Sequence, residues 1–253
     1  MTDDSRPAPH AHHLRVQRTA RYYTLGGESP ARGAIWFLLH GYGQLAGEFI
    51  RYFSDLASDD SLLVAPEAMN RFYLTSTEKA SASGRDRPVG ASWMTREDRA
   101  SEIADYVEYL DALFDAVSEN ADDSPTAINV VGFSQGGATA TRWVTHGRAR
   151  ISRLILWGSL LPPETDLSGH ALRRARLTLV IGNRDQYIDE VALGAEQARL
   201  DAAKVPYDAI RFDGGHVVRR GVFPQLVGAS GASGPSGASG PSGASGSSDA
   251  SVQ

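Results

Sequence analysis

Val130-Val131-Gly132-Phe133-Ser134-Gln135-Gly136-Gly137 is the stretch whose reading decides the fold. A β-branched run, Ala127 to Val131, leads into it, and a helix-like stretch, Ala138 to His146, follows. A serine with glycines two residues to either side, at a strand-to-helix junction, has the pattern of a nucleophile elbow. The spacing has a steric cause. The serine must sit on a sharp, strained turn, where a side chain at either flanking position would strike neighbouring backbone. The plain alternative is a glycine-rich loop with an incidental serine, because short patterns recur by accident. The rest of the chain decides between the two.

Outward from the elbow, apolar runs recur at Ala34 to Leu39, Leu62 to Ala65, Ile128 to Val131, Leu154 to Trp157 and Leu177 to Ile181. They are short and nearly continuous, as strands buried on both faces are. Leu14 to Leu25 mixes polar and apolar residues and reads as an edge hairpin or an antiparallel strand. Between the runs lie helical patterns. Arg99 to Val117 sets Ile103, Tyr106, Val107, Leu110, Leu113, Phe114 and Val117 on one apolar stripe, and Val191 to Lys204 is a shorter, alanine-rich candidate. Alternating strands and helices predict an α/β fold, a doubly wound and mostly parallel sheet with right-handed crossovers. Glu67 to Asp98 has little periodicity. An excursion of that length within a compact domain is more often functional than padding, so it reads as one wall of a binding cleft.

Composition narrows the possibilities. No stretch of the 253 residues is long and apolar enough to span a membrane. Residues 1–13 read as a flexible arm without the basic start and apolar run of a secretory signal. His10, His12 and His13 fall in this arm and read as solvated, since nothing nearby completes a metal ligand set. Residues 228–253 are almost entirely Gly, Ser, Ala and Pro, which bury too little surface to offset ordering entropy and so read as a flexible tail. A single domain over 14–227 remains. The net charge is −5, with no basic stripe of the kind that phosphate-backbone binding needs, which argues against a nucleic-acid partner. The chain has no cysteine, which excludes thiolate catalysis and cysteine metal sites and fits a cytoplasmic protein. Nothing in it specifies an oligomeric state.

A serine hydroxyl needs a base to accept its proton and a third group to orient that base. His216, in Asp213-Gly214-Gly215-His216 after the strand-like Tyr207 to Phe212, lies late in the domain, as the order Ser, Asp, His requires. The acid should close a strand between Ser134 and His216. Asp185, in Gly182-Asn183-Arg184-Asp185 after Leu177 to Ile181, fits best. Asp189 is the main rival but suits a helix N-cap, and Asp213 is too close in sequence to reach the far side of the ring. Leu38-Leu39-His40-Gly41-Tyr42-Gly43 ends its strand in a glycine-rich turn that can aim a backbone N–H at a developing oxyanion. Tyr42 is the candidate first donor, and Gln135, at the positive end of its helix, the second. His40 then supports the turn and is not the base.

These segments resemble the α/β-hydrolases, and within them the phospholipase/carboxylesterase family that includes acyl-protein thioesterases. The matching pieces are Leu39-His40-Gly41-Tyr42-Gly43, Gly132-Phe133-Ser134-Gln135-Gly136-Gly137, Gly182-Asn183-Arg184-Asp185 and Gly214-Gly215-His216, in the family order. The resemblance implies cleavage of small-molecule carboxylic esters, and extends to thioesters or lysophospholipids, with no metal or organic cofactor. The domain has little room for a large cap. Two departures stand out. The family commonly continues its aspartate segment with valine and proline, whereas this chain has Gln186-Tyr187-Ile188-Asp189. Ala91 to Arg96 also differs, and Trp93 and Met94 within it are candidates for lining an acyl pocket or for packing. A serine peptidase or amidase on the same fold, and a ligand-binding protein with an inactive hydrolase pocket, stand as the rival readings.

Overall fold

The continuous apolar runs of the sequence become the interior of one sheet. A computed structural model describes residues 9–27, 33–74, 87–118 and 127–228 of the chain. The expected arm up to residue 8, the tail beyond residue 228 and residues 75–86 of the expected cleft wall lie outside the described residues. The chain divides into two compact units, residues 1–220 and 221–253.

In the first unit, β1 (Tyr22–Gly26) and β2 (Ala34–Leu39) precede the short helix α1 (Ala46–Phe49), a 3-10 helix over Ile50–Leu56, and β3 (Ser61–Pro66). Next come β4 (Asn70–Tyr73), β5 (Val89–Ser92), the long helix α2 (Arg99–Ser118) and β6 (Ala127–Phe133). They are followed by α3 (Gln135–His146), β7 (Arg153–Trp157) and α4 (His170–Arg174). The series ends with β8 (Arg176–Gly182), α5 (Glu190–Ala202) and β9 (Tyr207–Phe212). In the second unit the described residues form α6 (Phe223–Gly228).

Seven strands hydrogen-bond in the order β1-β3-β2-β6-β7-β8-β9. All neighbours are parallel except β1, which pairs antiparallel with β3 at one edge. This is an α/β-hydrolase fold, as expected. Burial follows position. Every residue of central β7 is buried, whereas the edge strands β1 and β9 keep most of their residues at least partly exposed. On one side of the sheet, Phe37 and Trp143 meet edge to face at 5.0 Å, and Trp143 Nε1 donates to Asp111 Oδ1 at 2.9 Å, tying α3 to α2.

The connectivity decides where a site can lie. After β2 the chain adds β3 on one side, then returns to place β6 on the other side of β2. Strand order therefore reverses between β2 and β6. In open α/β sheets, ligands bind outside the carboxyl ends of the strands at such a switch point. Those ends carry the His40 turn and Ser134.

Sequence periodicity did not predict β4 and β5, the short antiparallel pair inside the Glu67 to Asp98 excursion. Each is four residues long, and tertiary pairing helps hold them: Gly43 N–H donates to Ala91 O at 2.9 Å and Ala91 N–H to Gln44 O at 3.2 Å. Helix α3 begins at Gln135 rather than Ala138, so Gly136 and Gly137 lie within its first turn.

Candidate active site

The elbow is built by contact between β6, α3 and β2. Ser134 has φ 52° and ψ −120°, a positive-φ conformation that a non-glycine residue adopts only where its surroundings impose it. The surroundings are visible. A Cβ on Gly132 would stand 2.4 Å from Gly136 O, and one on Gly136 would stand 2.1 Å from Leu39 O and 2.6 Å from His40 O. Any side chain at either position would force the helix start away from the sheet. Ser134 N–H is anchored on Trp157 O of β7 at 2.9 Å.

His216 follows β9 and meets Asp185, which follows β8. Its Nδ1 lies 2.8 Å from Asp185 Oδ2, and the two side chains are 11% and 1% exposed. Asp185 Oδ1 accepts the N–H groups of Tyr187 at 2.9 Å and Ile188 at 3.2 Å, which fixes the carboxylate plane. His216 Nε2 is buried and has no hydrogen-bond partner among the described residues. The imidazole rests on Phe133, the residue before Ser134, with ring centroids 4.9 Å apart. The rival acids are otherwise engaged. Asp189 caps α5, accepting Ala192 N–H at 2.7 Å, and Asp213 pairs with Arg184 at 2.8 Å on the surface.

The turn after β2 is held from several directions. His40 is fully buried. Its Nε2 accepts Ala68 N–H at 3.1 Å, so Nδ1 carries the proton and donates to Gly41 O at 2.8 Å. Burial pushes this imidazole below its ordinary value of 6.5, so the ring is neutral. Gly41 N–H donates to Gln44 Oε1 at 2.8 Å, Gly43 N–H to Ala91 O, and Gln44 N–H to Gly41 O at 3.2 Å. Of the four N–H groups in this turn, the one belonging to Tyr42 has no acceptor among the described residues. The Tyr42 ring is exposed and stacks on Phe72 of β4 at 5.0 Å. Gln135, as the first residue of α3, likewise has no intrahelical acceptor for its N–H.

Sequence reasoning passed over the Gln135 side chain. Its Oε1 accepts Trp93 N–H at 3.0 Å and its Nε2 donates to Met94 O at 2.8 Å, pinning the end of β5 to the elbow. The same strand binds the Tyr42 turn through Ala91. The two free N–H groups therefore belong to one hydrogen-bonded frame. Trp93 is 2% exposed and packs between His40 and Tyr106, with Nε1 donating to His40 O at 2.8 Å. Of its two expected roles, packing describes these contacts. Met94 is half-buried beside Arg142, whose guanidinium also binds Glu164 at 2.7 Å. Glu67 was likewise not foreseen. It is fully buried, gathers Arg21 and Arg71 at 2.6 Å each, and stands beside Ala68.

Among the described residues, no cluster of His, Asp and Glu is arranged to hold a metal ion. None of their helices is long and apolar enough to cross a membrane. His13 of the N-terminal arm pairs with Asp98 at 3.0 Å on the surface.

Comparison with known proteins gives a consistent result. The sequence model described as Phospholipase/Carboxylesterase matches residues 24–209. No curated protein matches the chain. Among solved structures, a carboxylesterase from Mesorhizobium loti superposes with a TM-score of 0.61 at 16% identity, over 83% of this chain and 94% of its own. Acyl-protein thioesterase 2 of Zea mays gives 0.59 at 15% identity, over 82% and 96%. Esterase PE8 gives 0.57 at 20% identity, over 83% and 97%. At these identities the likeness is one of fold.

Proposed function

The chain belongs to the phospholipase/carboxylesterase family, and on that premise we propose that it hydrolyses carboxylic esters through an acyl-enzyme on Ser134. Ser134 Oγ attacks the ester carbonyl while His216 Nε2 takes its proton. Asp185 Oδ2 holds Nδ1–H, fixing the tautomer in which Nε2 is free to act as base and favouring the imidazolium that forms. The N–H groups of Tyr42 and Gln135 bind the oxyanion, usually the largest electrostatic contribution to acyl transfer. His216 then gives its proton to the departing alcohol. Water, activated by the same imidazole, releases the acid.

The observation that carries this proposal is the state of His216. One ring nitrogen is bound to a buried carboxylate and the other is buried without a partner among the described residues, and the ring packs on Phe133, the residue before a serine held at positive φ. A buried polar atom left unsatisfied costs about 1–3 kcal/mol, so its persistence calls for a functional reason. The Tyr42 and Gln135 N–H groups, held in one hydrogen-bonded frame and without an acceptor in their turn and helix, support the oxyanion assignment. Turnover of short p-nitrophenyl esters by Ser134→Ala tests the proposal. Loss of activity on the order of a million-fold in kcat is expected, by analogy with the nucleophile of another serine hydrolase. Near-normal turnover by the folded variant would overturn it.

A further inference from the structure

We infer that Tyr187 is the wall of a leaving-group subsite beside His216, one that favours esters whose alcohol carries an apolar or aromatic group. The inference rests on the roles proposed above for Ser134 and His216. Among the described residues, two aromatic rings touch the His216 imidazole, Phe133 at 4.9 Å between centroids and Tyr187 at 4.6 Å with an interplanar angle of 70°. They differ in what else they do. Phe133 is 7% exposed and stacks on Phe49, so its surface is consumed by packing. Tyr187 is 71% exposed, so most of its ring is open to solvent.

Tyr187 is also held in place. Its backbone N–H donates to Asp185 Oδ1, the carboxylate that holds His216, so base and ring share one anchor. Val217, the residue after His216, is 52% exposed, and its carbonyl accepts Trp157 Nε1–H at 2.9 Å. The cations closest in sequence are already engaged: Arg184 pairs with Asp213, and Arg219 binds the Asp213 carbonyl. The exposed side chain that the structure places against the imidazole is therefore the Tyr187 ring.

The chemistry sets which part of the substrate meets this surface. The imidazole that accepts the serine proton returns it to the departing oxygen, so the alcohol side of the ester stands at His216 Nε2. A methyl or ethyl group ends close to that nitrogen. A longer chain or a ring continues onto Tyr187, where an aromatic contact contributes beyond simple area burial.

The test compares kcat/KM for ethyl butyrate and phenylethyl butyrate, which share an acyl group and release alcohols of similar acidity. An acyl series, ethyl butyrate against ethyl hexanoate, runs in parallel. Tyr187→Ala is expected to lower the phenylethyl-to-ethyl ratio roughly three- to tenfold and leave the acyl ratio unchanged, while Tyr187→Phe keeps both ratios. An unchanged alcohol ratio, or equal shifts in both series, would overturn the subsite. Ser134→Ala separates the two levels. If it abolishes turnover of both butyrates while the alcohol ratio ignores Tyr187, the subsite alone fails. If it turns both over normally, the proposed site fails with it.

Discussion

Asp185 is bound on both oxygens, with His216 Nδ1 2.8 Å from Oδ2 and the Tyr187 and Ile188 N–H groups on Oδ1. A carboxylate fixed in this way cannot turn away from the imidazole, so the ring keeps one tautomer. Asp185→Asn is expected to lower kcat on the order of ten-thousand-fold with the fold intact, because the amide no longer selects that tautomer. Asp189→Ala should do the opposite. It removes the cap of α5, at a cost of about 1 kcal/mol in thermal or urea unfolding, and leaves turnover near normal. Parallel assays on the two variants check both expectations.

Gly136 and Gly194 are both helical glycines in opposite situations. A Cβ on Gly136 would stand 2.1 Å from Leu39 O, while one on Gly194 would meet nothing within 4 Å. Gly136→Ala should therefore destabilise the protein by about 1–3 kcal/mol and displace the elbow, with loss of activity. Gly194→Ala, within α5, should stabilise it by about 0.5–1 kcal/mol at unchanged activity. Denaturant midpoints together with ester turnover distinguish the two.

Gln135 joins the elbow to the end of β5 through Trp93 N–H and Met94 O. Gln135→Ala leaves Trp93 N–H without this acceptor, at a cost of about 1–3 kcal/mol, while Met94 O keeps the Ser92 hydroxyl at 2.9 Å. The frame carrying both candidate oxyanion donors loosens with it. The expected kinetic signature is a fall in kcat with little change in KM, since an oxyanion contact strengthens in the transition state. A rise in KM alone would assign the side chain to substrate binding.

The structure and the sequence differ most where tertiary contact outweighs local preference. Buried strands were legible because β2, β6, β7 and β8 lie inside the sheet and so need apolar residues on both faces. Ser134, Asp185 and His216 could be singled out as candidates because each follows a strand at the same edge of the sheet, in a segment that contains glycine. The start of α3 at Gln135 was not legible. Gly136 and Gly137 are poor helix formers, and their presence there is explained by Leu39, His40 and Ser159, which are distant in sequence. The β4–β5 pair was missed for a related reason. Asn70 and Arg71 are not strand-like, and the pair is fixed against the turn after β2. Tyr187 had a visible signal, an aromatic two residues after the acid, but its meaning required the imidazole beside it.

His40 should behave unlike an ordinary histidine. At pH 6.5, where an unperturbed imidazole is half protonated, the buried ring stays mainly neutral. The sign of the linkage follows. The unfolded chain takes up a proton at His40 near pH 6.5 and the folded chain does not, so folding stability is lost as the pH falls through that value. NMR of the His40 ring against pH reads this directly. A ring half titrated at pH 6.5 would contradict the assignment of His40 as a neutral support for the turn.

Covalent labelling with a fluorophosphonate, followed by mass spectrometry of the digested protein, tests the role of Ser134 most directly. The expected result is one stoichiometric adduct on the peptide carrying Ser134, absent in Ser134→Ala and strongly slowed in His216→Ala. An unlabelled wild-type protein, or an adduct that forms equally fast without His216, would contradict an activated serine at the elbow.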